Sequence, residues 1–109
     1  MKQTPLGNYL VEAIDELRKV KEITLDFEQA LHLQQSIDTM LDQLSQAMEP
    51  TQTPTTEASQ DALSQLSQLS QQARQARQDP QQVAQIIYTT AKVVRVVEKV
   101  LKGASNVLR

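Results

Sequence analysis

Cysteine is absent from the 109-residue chain, and tryptophan with it. Without thiols there are no disulfide staples, thiolate metal sites or cysteine nucleophiles, and the redox compartment is left open. Glycine occurs only at Gly7 and Gly103, and the aromatic residues are Tyr9, Phe27 and Tyr88. Sheet-rich domains draw on aromatics and glycine turns, so an all-β fold is not expected. So little glycine leaves no tight backbone approach for a phosphate loop, a dinucleotide fingerprint or a nucleophile elbow, and none occurs. His32 is the single histidine, so the usual zinc sets and Ser-His-Asp triads lack members. It lies between Leu31 and Leu33, one step off a helical seam, and reads as a surface or boundary residue. Nearby Glu28 alone supplies too few ligands for a metal. No catalytic residue, cofactor or metal is expected.

Long apolar runs are missing too. The most hydrophobic segment, Val83 to Leu101, is cut by Lys92, Arg95, Glu98 and Lys99, short of the about 18 apolar residues a membrane span needs. The start, Met1-Lys2-Gln3-Thr4-Pro5, has one cation and no apolar core of a secretory signal. A cytoplasmic protein without a membrane partner is the expectation. The net charge of −2 argues against indiscriminate nucleic-acid binding, which needs a clearly basic face.

What is present fits one helical domain over residues 1–109. The chain is 39% apolar and 22% charged. Residues 49–56, Glu-Pro-Thr-Gln-Thr-Pro-Thr-Thr, have two prolines and no apolar side chain, and read as a loop between two helical halves. Residues 1–50 carry nine acidic and four basic side chains; residues 51–109 carry four acidic and seven basic. That split biases the halves toward pairing, within a chain or between chains.

Thr4-Pro5 is a helix start, a cap followed by proline. Leu6, Leu10, Ala13 and Leu17 follow at helical spacing, with Ile14 and Val20 widening the stripe. A heptad-like seam then runs through Ile23, Phe27, Ala30, Gln34, Ile37, Leu41, Leu44 and Met48. The two registers do not join, so a break or kink is expected near Ile23 to Asp26, with Thr24 or Asp26 capping the next helix. The carboxylates Glu12, Asp15 and Glu16 alternate with the seam and read as a solvated face. Glu-x-x-His ligands on a second helix, as a di-iron bundle requires, are not there.

Thr55-Thr56-Glu57 opens a third helix. Ala62, Leu66, Leu69, Ala73 and Ala76 form its narrow stripe, amid a Gln/Ser-rich surface that includes Gln68, Gln72 and Gln75. Asp79-Pro80-Gln81-Gln82 is a capping-box start for the last helix. That helix carries Val83, Ile87, Thr90, Val94, Val97, Leu101, Ala104 and Leu108 on one seam. Ile86, Val93, Val100 and Val107 form a second beside it. So broad an apolar face wants two or more neighbours.

Lys92, Arg95, Lys99 and Lys102 make a basic row on this helix. It fits pairing with the acidic half, a solvated face, or contact with nucleic acid or acidic lipid. A helix-turn-helix reading of Leu10 to Leu41 fails: no turn follows Ala30, and Ser36 to Leu44 holds two Asp and no cation.

The expected architecture is all-α, with helices near 5–22, 25–48, 57–78 and 80–107. They form either a four-helix bundle or a kinked helical hairpin, completed by self-association. The expected function is a non-catalytic adaptor, a protein–protein interaction module that binds itself and another protein. Its candidate surface comprises Lys92, Arg95, Lys99, Lys102, Gln68, Gln72 and Gln75. The alternative is a small nucleic-acid-binding or antitoxin-type regulator using the basic C-terminal helix.

Overall fold

The computed structural model describes residues 5–47 and 57–107, and the side chains of 6–47 and 60–102 within them. The expected loop 49–56, the caps at Thr4, Thr55 and Thr56, and the seam ends Met48 and Leu108 lie outside the described residues. Four helices account for nearly all of the rest: α1 (Pro5–Ile23), α2 (Phe27–Ala47), α3 (Glu57–Ala76) and α4 (Val83–Val107). No strand occurs among the described residues.

The chain breaks between α1 and α2 rather than bending. The Thr24 hydroxyl turns back to donate to the Val20 carbonyl at 2.7 Å, closing the end of α1. Asp26 then opens α2: its Oδ1 accepts from the Gln29 amide at 2.9 Å while its carbonyl accepts from Ala30. A side-chain acceptor for an orphan first-turn amide is what an N-cap supplies.

Asp79 makes the second break. Its backbone is extended and its Oδ1 accepts from the Gln81 amide, with Pro80 at the first helical position of a 3-10 turn, Pro80–Gln82, that leads into α4. The Asp79 amide already donates to the Ala76 carbonyl. Gln82 therefore reaches the Asp79 carboxylate instead of its backbone amide, and the capping box is not reciprocal.

Helix α1 packs on α2 and α3, and α4 packs on the same two. The helices thus form a four-cornered bundle with α1 and α4 diagonal, and the α1–α2 and α3–α4 hairpins make opposite sides. The kinked-hairpin alternative falls, because α1 and α2 are separate helices and so are α3 and α4. Helix α4 finds its two neighbours within the chain.

The core takes Leu6, Leu10, Ala13, Ile14, Leu17 and Val20 from α1 and all of Ala62, Leu66, Leu69, Ala73 and Ala76 from α3. Helix α2 differs from its seam. Leu33, Ile37, Met40 and Ala47 are buried, while Phe27 and Leu41 of the expected heptad face solvent and Leu44 is only partly buried. Helix α4 buries Val83, Ile86, Thr90, Val93, Val97 and Leu101. It draws on both expected stripes, and Ile87 and Val94 pack at the margin. Thr90 is tolerated at the centre because its hydroxyl donates to the Ile86 carbonyl at 2.6 Å.

Candidate functional site

The residues singled out on α3 and α4 meet in part. A groove of about 680 Å³ runs between the two helices, lined by Gln68 and Gln72 from α3 and by Lys92 and Arg95 from α4. The short 77–79 connection sets the helices antiparallel, and Gln65 and Gln72 of α3 share the groove with Gln85 and Lys92 of α4. Tyr88, Thr89, Asp61 and Ser64 complete much of the wall. Lys92 Nζ lies 5.8 Å from the centre of the Tyr88 ring, at the outer range of a cation–π contact. Gln72 holds its Oε1 away from solvent with no hydrogen-bond partner.

Gln75 is exposed beyond Gln72 and does not line this groove. Lys99 extends the basic face by one turn past Arg95. Lys102 lies on the other flank, where it lines a smaller cleft with Asp42 and Gln46 of α2 and pairs with Glu98 at 3.0 Å. The row of four cations is therefore two groups. Tyr88 was signalled by its position four residues before Lys92 on a helix, the spacing at which side chains meet.

The acidic half does find cations across the bundle, but they come from α3. Arg74 reaches Glu12 at 2.6 Å and Glu16 at 3.3 Å, and Arg77 reaches Glu16 at 3.7 Å. Among the described residues no ion pair joins Lys92, Arg95, Lys99 or Lys102 to α1 or α2. Glu16 is no member of a solvated face: it is 5% exposed at the α1–α3 seam. Small neighbours on that seam, Ala13, Ala73 and Ala76, let the helices approach closely enough to enclose it. Lys19 donates to Asp15 and to Glu16, and this pairing holds its ammonium above the usual range.

The opposite side of the bundle carries a more apolar cleft of about 340 Å³ between α1 and α2, lined by Val11, Ile14, Leu41 and Leu44 with Asp15 and Arg18 at its edge. Val11 is 42% exposed and Leu41 36%. At the α1–α2 turn, Leu25 is fully exposed, Phe27 is 82% exposed, and Leu31 follows on α2. His32 is exposed beside them. Among the described residues no group of three or more His, Asp or Glu is placed to hold a metal ion, and no helix is long and apolar enough to cross a membrane. No protein-family model matches the chain, nor does any curated protein or solved structure.

Proposed function

We propose that this protein is a non-catalytic helical interaction module, an adaptor that associates with itself and with a protein partner. One observation carries the reading. The core closes within one chain, yet Leu25, Phe27, Leu31, Val11 and Leu41 stay outside it. Single exposed apolar residues are ordinary; several grouped on one hairpin of a small bundle mark a surface with a use in contact. The hydrogen-bonding α3–α4 groove, lined by Gln68 and Gln72 with Lys92 and Arg95, offers a second, polar contact face.

Light scattering over a concentration series, paired with a pulldown using the tagged chain, tests this. The mass should rise above the 12.2 kDa of one chain. Phe27→Asp with Leu41→Asp should lower the association and release the captured protein while the helical circular dichroism is kept. A protein monomeric throughout, with the same captures in both forms, overturns the reading.

A regulator that binds nucleic acid is the second reading. The exposed Lys92, Arg95 and Lys99 favour it, since no carboxylate of α1 or α2 neutralises them. A gel shift that weakens steeply between low and moderate salt would select it, because phosphate contacts release counterions.

A further inference from the structure

Helical periodicity sets the polar residues of α3 and α4 beside their buried stripes. Gln65, Gln68 and Gln72 flank Leu66, Leu69 and Ala73 on α3, and Gln85, Tyr88 and Lys92 flank Ile86 and Val93 on α4. The two flanks meet as the walls of the groove of about 680 Å³. Along each helix the lining runs eleven steps, from Asp61 to Gln72 and from Gln85 to Val96, or about 16 Å. An extended chain covers that length with about five residues.

The charges in this groove are unmatched. Lys19, Arg74, Arg77 and Lys102 each have a carboxylate partner. Among the described residues Lys92 and Arg95 have none, and Lys92 has only the distant Tyr88 ring. Three positions apart on α4, the two cations share a face. Asp61 is the one carboxylate in the lining, and it accepts from Gln65 at 3.0 Å rather than from either cation. Two cations against one carboxylate leave the groove positive. Its glutamines add hydrogen-bonding groups of both kinds, and the Gln72 Oε1 is shut from solvent without a partner.

We propose that the α3–α4 groove holds a short acidic segment of a partner protein in extended form. Its carboxylates lie on Lys92 and Arg95, and its main chain lies along the glutamines. The proposal rests on the adaptor reading above and specifies the partner. A guanidinium takes a carboxylate through two parallel N–H bonds, and an ammonium supplies a point charge beside it. Side-chain amides both donate and accept, as a peptide unit does, so they match a main chain whatever its side chains. The Gln72 oxygen discriminates further, because it only accepts. A turn of this partly exposed amide brings it to a main-chain N–H in the groove. A phosphodiester backbone brings acceptors alone and leaves that oxygen unmatched.

Backbone-amide nuclear magnetic resonance on the full chain reads the outcome residue by residue. The probe is a capped five-residue peptide alternating glutamate and serine. The controls are the same peptide with glutamine for glutamate, and a thymidine pentanucleotide. At about 0.05 M salt the acidic peptide should shift the amides around Gln68, Gln72, Lys92 and Arg95, and the neutral peptide should bind at least about tenfold more weakly. Lys92→Gln/Arg95→Gln should weaken the acidic peptide at least about tenfold. Gln68→Ala/Gln72→Ala should weaken it about threefold and leave the pentanucleotide unaffected. Far-ultraviolet circular dichroism establishes that both variants are folded. Equal binding of the two peptides, or acidic-peptide binding that survives Lys92→Gln/Arg95→Gln, overturns the proposal. A pentanucleotide that binds more tightly than the acidic peptide also overturns it, in favour of the nucleic-acid reading. A groove silent to the acidic peptide, in a chain that still self-associates and captures a partner, overturns the acidic segment and leaves the adaptor standing. A chain that neither binds the peptide nor associates overturns both.

Discussion

Helices α2 and α3 are nearly equal in length and sit on opposite corners of the bundle, yet they treat their apolar residues differently. In α3 the stripe of Ala62, Leu66, Leu69, Ala73 and Ala76 is entirely buried, and Leu63 packs against it. Helix α2 is richer, and it leaves Phe27, Leu31 and Leu41 in solvent while burying Leu33, Ile37, Met40 and Ala47. Among the described side chains the poor helix contributes all its apolar residues to the core or its margin; the rich one has a surplus. Apolar content therefore measures how many faces a helix can offer, and packing against the neighbours decides which one is taken. The surplus on α2 is what the proposed contact would draw on.

Truncation is the strongest way to break this contrast. Leu66→Ala and Leu69→Ala should each cost about 2–5 kcal/mol, because the neighbouring alanines of α3 cannot collapse into the space left behind. Leu31→Ala and Phe27→Ala remove as much or more side chain but should change stability by no more than about 0.5 kcal/mol, the ordinary range at the surface. Denaturant midpoints measure both. If Phe27→Ala costs as much as Leu66→Ala, α2 holds no surplus and the proposed contact face goes with it.

The ion pairs of α3 sharpen the contrast at smaller magnitude. The Arg74–Glu12 contact, at 2.6 Å, is the shorter, but both side chains are half exposed. Arg74 reaches Glu16 at a longer 3.3 Å, and the Glu16 side chain is almost wholly enclosed. Burial should decide. Glu12→Gln should cost at most about 1 kcal/mol, as exposed pairs do. Glu16→Gln should cost about 1–2 kcal/mol, less than the about 3–5 of a fully buried broken pair, because Arg74 and Arg77 can turn to water. The reverse order would show that distance, not enclosure, governs this seam.

These same residues explain how much of the molecule was legible beforehand. The α3 stripe could be read because nothing competed with it: with so few apolar residues only one face was possible. The break after Ile23 and the cap at Asp79 were legible because Asp26, Asp79 and Pro80 act on their own neighbours, through bonds spanning two to three residues. The buried face of α2 was not, since two apolar stripes adjoin on it and the heptad spacing favoured the one through Phe27 and Leu41. The same ambiguity placed Ile87 and Val94 of α4 at the centre when Ile86 and Val93 occupy it. Glu16 looked solvated by its periodicity; only the approach of Arg74, 58 positions away along the sequence, encloses it. Of the candidate surface, Gln68, Gln72, Lys92 and Arg95 converge because the hairpin is antiparallel, a fact that no single helix contains.

The smallest effect concerns Lys19, and its sign is fixed by the direction of its shift. Its ammonium donates to Asp15 and then to Glu16, so the folded protein holds the proton more tightly than the unfolded chain, above the ordinary 10.5. A group whose affinity for a proton rises on folding stabilises the fold while protonated in both states. That contribution is therefore present in full through neutral pH and is lost as the pH climbs through the folded value, beyond 10.5. Lys19→Met removes the titrating group and keeps a stem of similar reach. Between about pH 9 and about pH 11 the unaltered chain should lose stability faster than Lys19→Met, and below about pH 9 the gap between them should be constant. Because Lys19 is solvent-exposed the difference is small and shrinks with added salt. Parallel denaturant-midpoint curves across that alkaline window would mean that Lys19 stands apart from the Glu16 seam, which Arg74 and Arg77 would then hold by themselves.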